Sequence, residues 1–207
     1  MSVAQSSIEP HQQFLDNIAY AEGLVAAGPF LRIDLAEDLY RAAWVQAVSA
    51  LDHWVHLEVY KTATSIVSDA NRARPPRLEK FPLPWKYIER IHLEQERLRD
   101  VFREALEAEL GRSTFQNMED IGNAFQLILA DKSAGAMWTA VAQELDMIKA
   151  DVTAKHKAVL YRRNKIAHES DIVDATTGQR RPITQAEASD AVGWIKDFVR
   201  ALKRTIP

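Results

Sequence analysis

One segment limits the possible folds more than any other. From Asp34 to about Asp69, the apolar side chains Leu35, Leu39, Ala42, Ala43, Val45, Ala47, Val48, Leu51, Val55 and Val59 recur at helical spacing. A stripe this broad and this rich in alanine lets a neighbouring helix approach closely, so the segment reads as the central helix of a bundle. Asp34 with Glu37 three residues on fits a variant of the capping box at its start. Glycine is scarce elsewhere, at 7 of 207 residues, and strand-like alternation is missing. The expectation is an all-α fold, a helical bundle of about five or six helices, in a single domain over residues 1–207.

The remaining elements follow from local punctuation. A first helix covers about residues 9–27 and stops at Gly28-Pro29. Asn71 to Pro84 holds four prolines and four basic residues and reads as a loop. A third helix runs from Pro84-Trp85 to about Leu110 and ends at Gly111, its surface laced with Glu94, Glu96, Arg97, Arg99, Asp100, Arg103 and Glu104. Short helices follow at about 115–130 and 135–144, then a long one at about 145–169. Its apolar stripe is Leu145, Ile148, Val152, Val159 and Ile166. Residues 170–183 form a polar loop turning at Thr176-Thr177-Gly178, and Thr184 with Glu187 caps a last helix ending near Arg204.

Several chemistries drop out on composition. Without cysteine there is no thiolate nucleophile, no disulfide framework and no cysteine-based zinc site, which fits a reducing compartment. Met1 to Pro10 shows neither a basic nor an apolar signal region, and no apolar run approaches the roughly 20 residues that span a bilayer. A cytoplasmic protein without a membrane partner is therefore expected. A net charge of −3 argues against nucleic-acid binding over the whole surface. It leaves room for local basic patches, at Arg72, Arg74, Arg77 and Lys80 and again from Lys155 to Lys165, although such clusters are commonly solvated faces.

The chemistry-bearing candidate is Arg163-Asn164-Lys165-Ile166-Ala167-His168, at the end of the long helix. His156 and Arg163, seven apart, share a face, whereas His168 sits with Tyr161, Asn164 and Lys165. Five residues separate Arg163 from His168, about 140° around an ideal helix, so the two flank a cleft rather than stack. Arginine and histidine suffice for RNA cleavage without a metal. The ribose 2′-OH lies next to the scissile phosphate, a histidine near pKa 6.5 exchanges protons at neutral pH, and a guanidinium binds phosphate and stabilises transition-state charge. Asn164 would hold a phosphate oxygen or a catalytic group. The competing readings are a favourable histidine near a helix C-terminus and, for the whole chain, a purely structural helical interaction protein.

This hexapeptide resembles the signature of the HEPN superfamily: an arginine, a polar residue that is often Asn, three more residues and a histidine. Arg41 to Asp52 (RAAWVQAVSALD) and Arg181-Pro182-Ile183-Thr184 also resemble the RiboL-PSP-HEPN branch, so the resemblance spans about residues 10–205. It implies a helical bundle that dimerises, two Arg/His sets at one composite cleft, and metal-independent endoribonuclease activity without a cofactor. RNA is the implied substrate, with an antitoxin or defence-system protein as partner in a toxin or phage-defence setting. By position, Arg163, Asn164 and His168 are the catalytic set, and Asp52 matches an acidic residue that would orient Arg163 or His168, the alternative being an ordinary solvated or dimer-contact carboxylate. Arg162 fits a looser spacing, but Asn follows Arg163. The alternative is a non-catalytic module of the same type that binds RNA, nucleotide or a partner protein. Some HEPN toxins carry a tyrosine two residues after the histidine, modified by a partner nucleotidyltransferase. Here Ser170 stands there, and Tyr161 lies upstream, which puts that regulation in doubt.

Other candidates are weaker. Asp52, His53, His56 and Glu58 suggest metal ligands without forming a known ligand pattern, and His92 lies among charged residues as a surface side chain. Trp44, Trp54, Trp85, Trp138 and Trp194 fall at helical positions suited to core or interface anchors.

Overall fold

The computed structural model describes residues 9–130 and 133–206. The reading of the N-terminal stretch from Met1 falls, up to residue 8, outside the described residues. Among them the chain forms nine α-helices and one two-stranded hairpin. These are α1 (Pro10–Ala27), α2 (Ile33–Ser68), α3 (Pro76–Glu79), α4 (Trp85–His92), α5 (Leu98–Leu110), α6 (Met118–Phe125), α7 (Ala134–Glu144) and α8 (Lys149–Glu169). The hairpin β1 (Ile172–Asp174) and β2 (Gln179–Arg180) and the last helix α9 (Gln185–Thr205) complete the chain. The fold is all-α, with more and shorter helices than the sequence pattern suggests. No described helix is long and apolar enough to cross a membrane.

The extra helices have local causes. The expected third helix breaks between His92 and Leu98, where Gln95 adopts a left-handed φ of 54°. Helical spacing would pair Arg90 with Glu94. Instead the Arg90 guanidinium donates to both oxygens of Glu96, at 2.7 and 2.8 Å, and to Glu104 at 2.7 Å. That fork closes the turn and draws α5 back onto α4, where Tyr87, Val101 and Ala105 form a small core flanked by Leu83 and Ile91. Within the expected loop, α3 starts at Pro76, a residue tolerated in a first turn, and buries Leu78.

The start of α2 also departs from expectation. Its first residue is Ile33, and Asp34, inside the first turn, pairs with Arg32 at 2.9 Å while Glu37 turns to Arg41. No capping box forms there. The buried stripe runs Ala36, Tyr40, Ala43, Ala47, Ala50, Leu51 and Trp54, and Leu35, one position ahead of it, is half exposed. In α8, Val152 and Val159 are buried as expected, but Ile148 precedes the helix and is exposed.

The loop after α8 contains a strand pair too short to show alternation in the sequence. Ile172 faces Arg180 and Asp174 faces Gln179, with a register shift between. The Asp174 carboxylate accepts from Thr177 Oγ1 and Thr176 N–H, both at 2.8 Å, which holds it below the usual carboxylate range. Gly178, at φ 69°, takes the left-handed turn position. The capping box at α9 is present. Thr184 N–H donates to Glu187 Oε2 at 2.7 Å and Glu187 N–H donates to Thr184 Oγ1 at 3.2 Å.

The chain divides into two compact units. In the first, residues up to Trp54 and from Ala158 to Asp197, α1 buries Phe14, Ile18, Ala21 and Val25, and Phe14 packs its ring 6.3 Å from that of Trp54. Trp44 Nε1 donates to the Val159 carbonyl at 3.0 Å, tying α2 to α8, and Lys196 on α9 meets Glu22 on α1 at 2.6 Å. In the second, Val55 to Lys157 and Phe198 onward, the Phe198 ring stacks on His156 (4.3 Å) and on Trp138 (5.9 Å). Trp54, Trp138 and Trp194 are buried. Trp85 is 69% exposed and bonded only to Glu89 on its own helix, so it is not a core anchor.

Candidate functional site

The end of α8 belongs to the first unit, and its neighbouring arginines have different fates. Arg162 is committed inward, with Nη2 donating to Asp171 Oδ2 at 2.7 Å and to the Pro182 carbonyl at 3.1 Å. Arg163 is half-buried and makes a short-range bond, Nη1 to Asn164 Oδ1 at 2.9 Å, while its Nε is buried without a hydrogen-bond partner. Asn164 and His168 are exposed. On the face that carries both, Lys165 is neutralised by Glu169, with both carboxylate oxygens within 2.8 Å, and lies 5.5 Å from the Tyr161 ring. Glu169 accordingly raises the Lys165 pKa. The surface at the helix end therefore presents Arg163, Asn164 and His168, with Arg162 and Lys165 consumed by Asp171 and Glu169.

Helix α8 stops by an uncommon route. Ser170 and Asp171 both take left-handed φ values, 52° and 59°, although neither is glycine. Short polar side chains tolerate this better than branched ones, but two in succession require compensation. It comes from Asp171, which is 2% exposed. Its N–H donates to the Lys165 carbonyl at 2.9 Å, and its carbonyl accepts from Arg181 N–H at 2.8 Å. Its Oδ2 accepts from Arg162 and from Arg41 Nε, the latter at 3.2 Å. Arg41, also buried, further donates to Glu37 (2.9 Å), Asp38 (3.3 Å) and the Arg181 carbonyl (2.7 Å). Burial lowers the Arg162 pKa, opposed by Asp171. One carboxylate thus ties the N-terminal part of α2, the end of α8 and the approach to α9 around the tip of the motif.

Asp171 and its two arginines are what sequence reasoning missed. A usable signal existed: a carboxylate just past a helix C-terminus faces the wrong end of the dipole, so it needs a cationic partner. Arg162 is placed in this network. Asp52 is half-buried on α2 in the same unit, while the bond that fixes Arg163 goes to Asn164. His156, one face-sharing neighbour suggested for Arg163, is 1% exposed in the second unit. Its Nε2 lies 2.6 Å from the Gln116 carbonyl, and burial pushes its pKa down.

The weaker candidates separate as well. His56 sits between Tyr60 Oη (3.0 Å) and the Ser113 carbonyl (3.2 Å), Glu58 is buried against Lys203 (2.8 Å), and His53 and His92 are exposed. Among the described residues no three His, Cys, Asp or Glu side chains group to hold a metal ion.

Chemically, the motif offers a fork able to donate to a phosphate and an imidazole open to a substrate. In a single α8 they point in different directions. Compared with family models, curated proteins and solved structures, the chain matches none.

Proposed function

We propose that this chain is a HEPN-type, metal-independent endoribonuclease that acts as a homodimer with a composite cleft. The observation that supports the reading is the contrast between adjacent arginines: the Arg162 guanidinium is spent on Asp171 and the Pro182 carbonyl, while that of Arg163 meets no carboxylate among the described residues and bonds to Asn164, on the helix end that also carries the exposed His168. A second copy placed by a two-fold axis would set two such motifs face to face.

In the proposed reaction the imidazole of His168 takes the ribose 2′-OH proton as the 2′-oxygen attacks phosphorus. The P–O5′ bond breaks, and O5′ leaves with a proton from the second histidine or from water. The products are a 2′,3′-cyclic phosphate and a 5′-OH. Arg163 stabilises the charge on the non-bridging oxygens.

The test is RNA cleavage in EDTA with end analysis. Wild type should yield 2′,3′-cyclic phosphate ends and leave an all-deoxy substrate intact. His168→Ala should lose about 10²–10⁴ in rate and Arg163→Ala about 10²–10³, both remaining folded by circular dichroism. Arg163→Lys should stay impaired, because a point charge does not replace a planar fork. Metal-dependent cleavage leaving 5′-phosphates, or both alanine variants at the wild-type rate, would overturn the mechanism.

A further inference from the structure

The second unit holds two clefts that share one wall. The first, about 550 Å³, has Phe81, Leu110 and Leu127 among its apolar lining. The second, about 540 Å³, is lined in part by Leu129 and Ala130. Arg77 and Lys80 line both, so they form a ridge with a recess on either side. Arg77 Nη1 is held by Asn123 Oδ1 at 3.0 Å, which fixes the guanidinium and leaves its other donors available.

Many cations elsewhere on the surface are ion-paired, although Lys86, Arg97, Arg99, Lys149 and Lys157 also lack a carboxylate partner among the described residues; the ridge is set apart by gathering five such cations beside two clefts. Arg32, Arg90, Arg103, Lys165, Arg180, Lys196 and Arg204 are each ion-paired with a carboxylate. Arg77 and Lys80, with Arg72 and Arg74 just before them and Arg112 beside the first cleft, are all exposed. Among the described residues none of these five forms an ion pair with a carboxylate. On a chain of net charge −3, a cluster of unpaired cations at the meeting of two partly apolar recesses fits an anion flanked by two flat, neutral bodies.

We propose that the ridge binds single-stranded nucleic acid, seating one phosphodiester on Arg77 and Lys80 and one nucleoside in each cleft. A polyphosphate fits less well, because the first cleft also contains Glu109 and Asp120. Those carboxylates repel a second phosphate but accept hydrogen bonds from sugar hydroxyls or base amino groups. This site is independent of cleavage at the α8 motif, and its test reads binding alone.

The experiment compares two probes by calorimetry: an uncleavable 2′-O-methyl adenylyl-adenosine and AMP. AMP carries more negative charge, so a simple anion site would prefer it. Straddling predicts the reverse, with the dinucleotide about tenfold tighter, since the second base removes apolar surface from water in the other cleft. Arg77→Glu and Lys80→Glu should each weaken the dinucleotide at least about tenfold while leaving circular dichroism unchanged, as both side chains are exposed. Arg99→Glu, an exposed cation that lines neither cleft, should change it by less than about twofold. The proposal is overturned by AMP binding as tightly as the dinucleotide, by no binding of either at millimolar concentration, or by Arg77→Glu and Lys80→Glu binding like wild type.

Discussion

Replacing Asp171 by Asn removes one charge and almost nothing else. Asn tolerates a left-handed backbone, retains an acceptor oxygen and has nearly the same shape. What it leaves behind is severe. Arg41 and Arg162 have side chains 7% and 11% exposed, and both donate to the same oxygen of Asp171. Removing one partner of a buried ion pair typically costs about 3–5 kcal/mol, because the remaining charge stays desolvated. Arg41 would keep Glu37 and Asp38, and Arg162 would keep its carbonyl contacts, so the lower end, about 3 kcal/mol, is expected. Against a total stability of roughly 5–15 kcal/mol that is a large fraction. In urea the loss should shift the unfolding midpoint down by roughly 1–2 M. Asp171→Gly separates the two costs, since it relieves the φ of 59° but also lacks the carboxylate. It should be destabilised to a similar degree. An Asn variant within about 0.5 kcal/mol of wild type would show that the buried carboxylate does not hold the end of α8.

Three further outcomes follow from the geometry. Burial keeps the His156 pKa below its ordinary value, so below about pH 6.5 the unfolded chain binds more protons than the folded one. Thermal stability should therefore fall on acidification from that point, by up to about 1.4 kcal/mol per pH unit, until the folded-state group protonates, and His156→Gln should flatten this slope in melting curves recorded across the window. Thr184→Ala should cost about 1 kcal/mol by denaturant titration, and Thr184→Ser should recover most of it. The backbone N–H of Thr184 holds Glu187 below its ordinary pKa, so this carboxylate's contribution is present above about pH 4.5 and is lost as pH falls through the lower folded value. Gly28→Ala places a methyl group into the Tyr40 ring and should lower stability by about 1–3 kcal/mol, which a melting temperature equal to wild type would disprove.

Periodicity and local punctuation made most of the helices readable. α1, α2, α7, α8 and α9 fall close to their expected limits because each has a long apolar stripe or a terminal signal within a few residues. The split of α4 from α5 was hidden, since its cause is a single guanidinium choosing Glu96 and Glu104 over the helical neighbour Glu94. The motif on α8 was legible as six adjacent residues. The Asp171 network was not, because Arg41 and Asp171 are 130 positions apart and no local rule links them. The cationic ridge was visible as Arg72, Arg74, Arg77 and Lys80, but the clefts on either side arise from packing around α3, α5 and α6, which composition does not encode.

Helices α2, α8 and α9 each contribute residues to both compact units, which change over at Trp54/Val55, Lys157/Ala158 and Asp197/Phe198. This arrangement bears on how the protein is made. Ribosomes extend a chain at about 5–20 residues per second, and proteins built from contiguous domains fold their N-terminal part while the rest is still being added. Here the first unit waits for Ala158 to Asp197, and the second waits for Phe198, whose ring stacks on His156 and Trp138. Neither core is complete until α9 has left the ribosome. Until α9 emerges the nascent chain leaves part of both cores uncovered, and its exposure to chaperones and aggregation depends on translation speed.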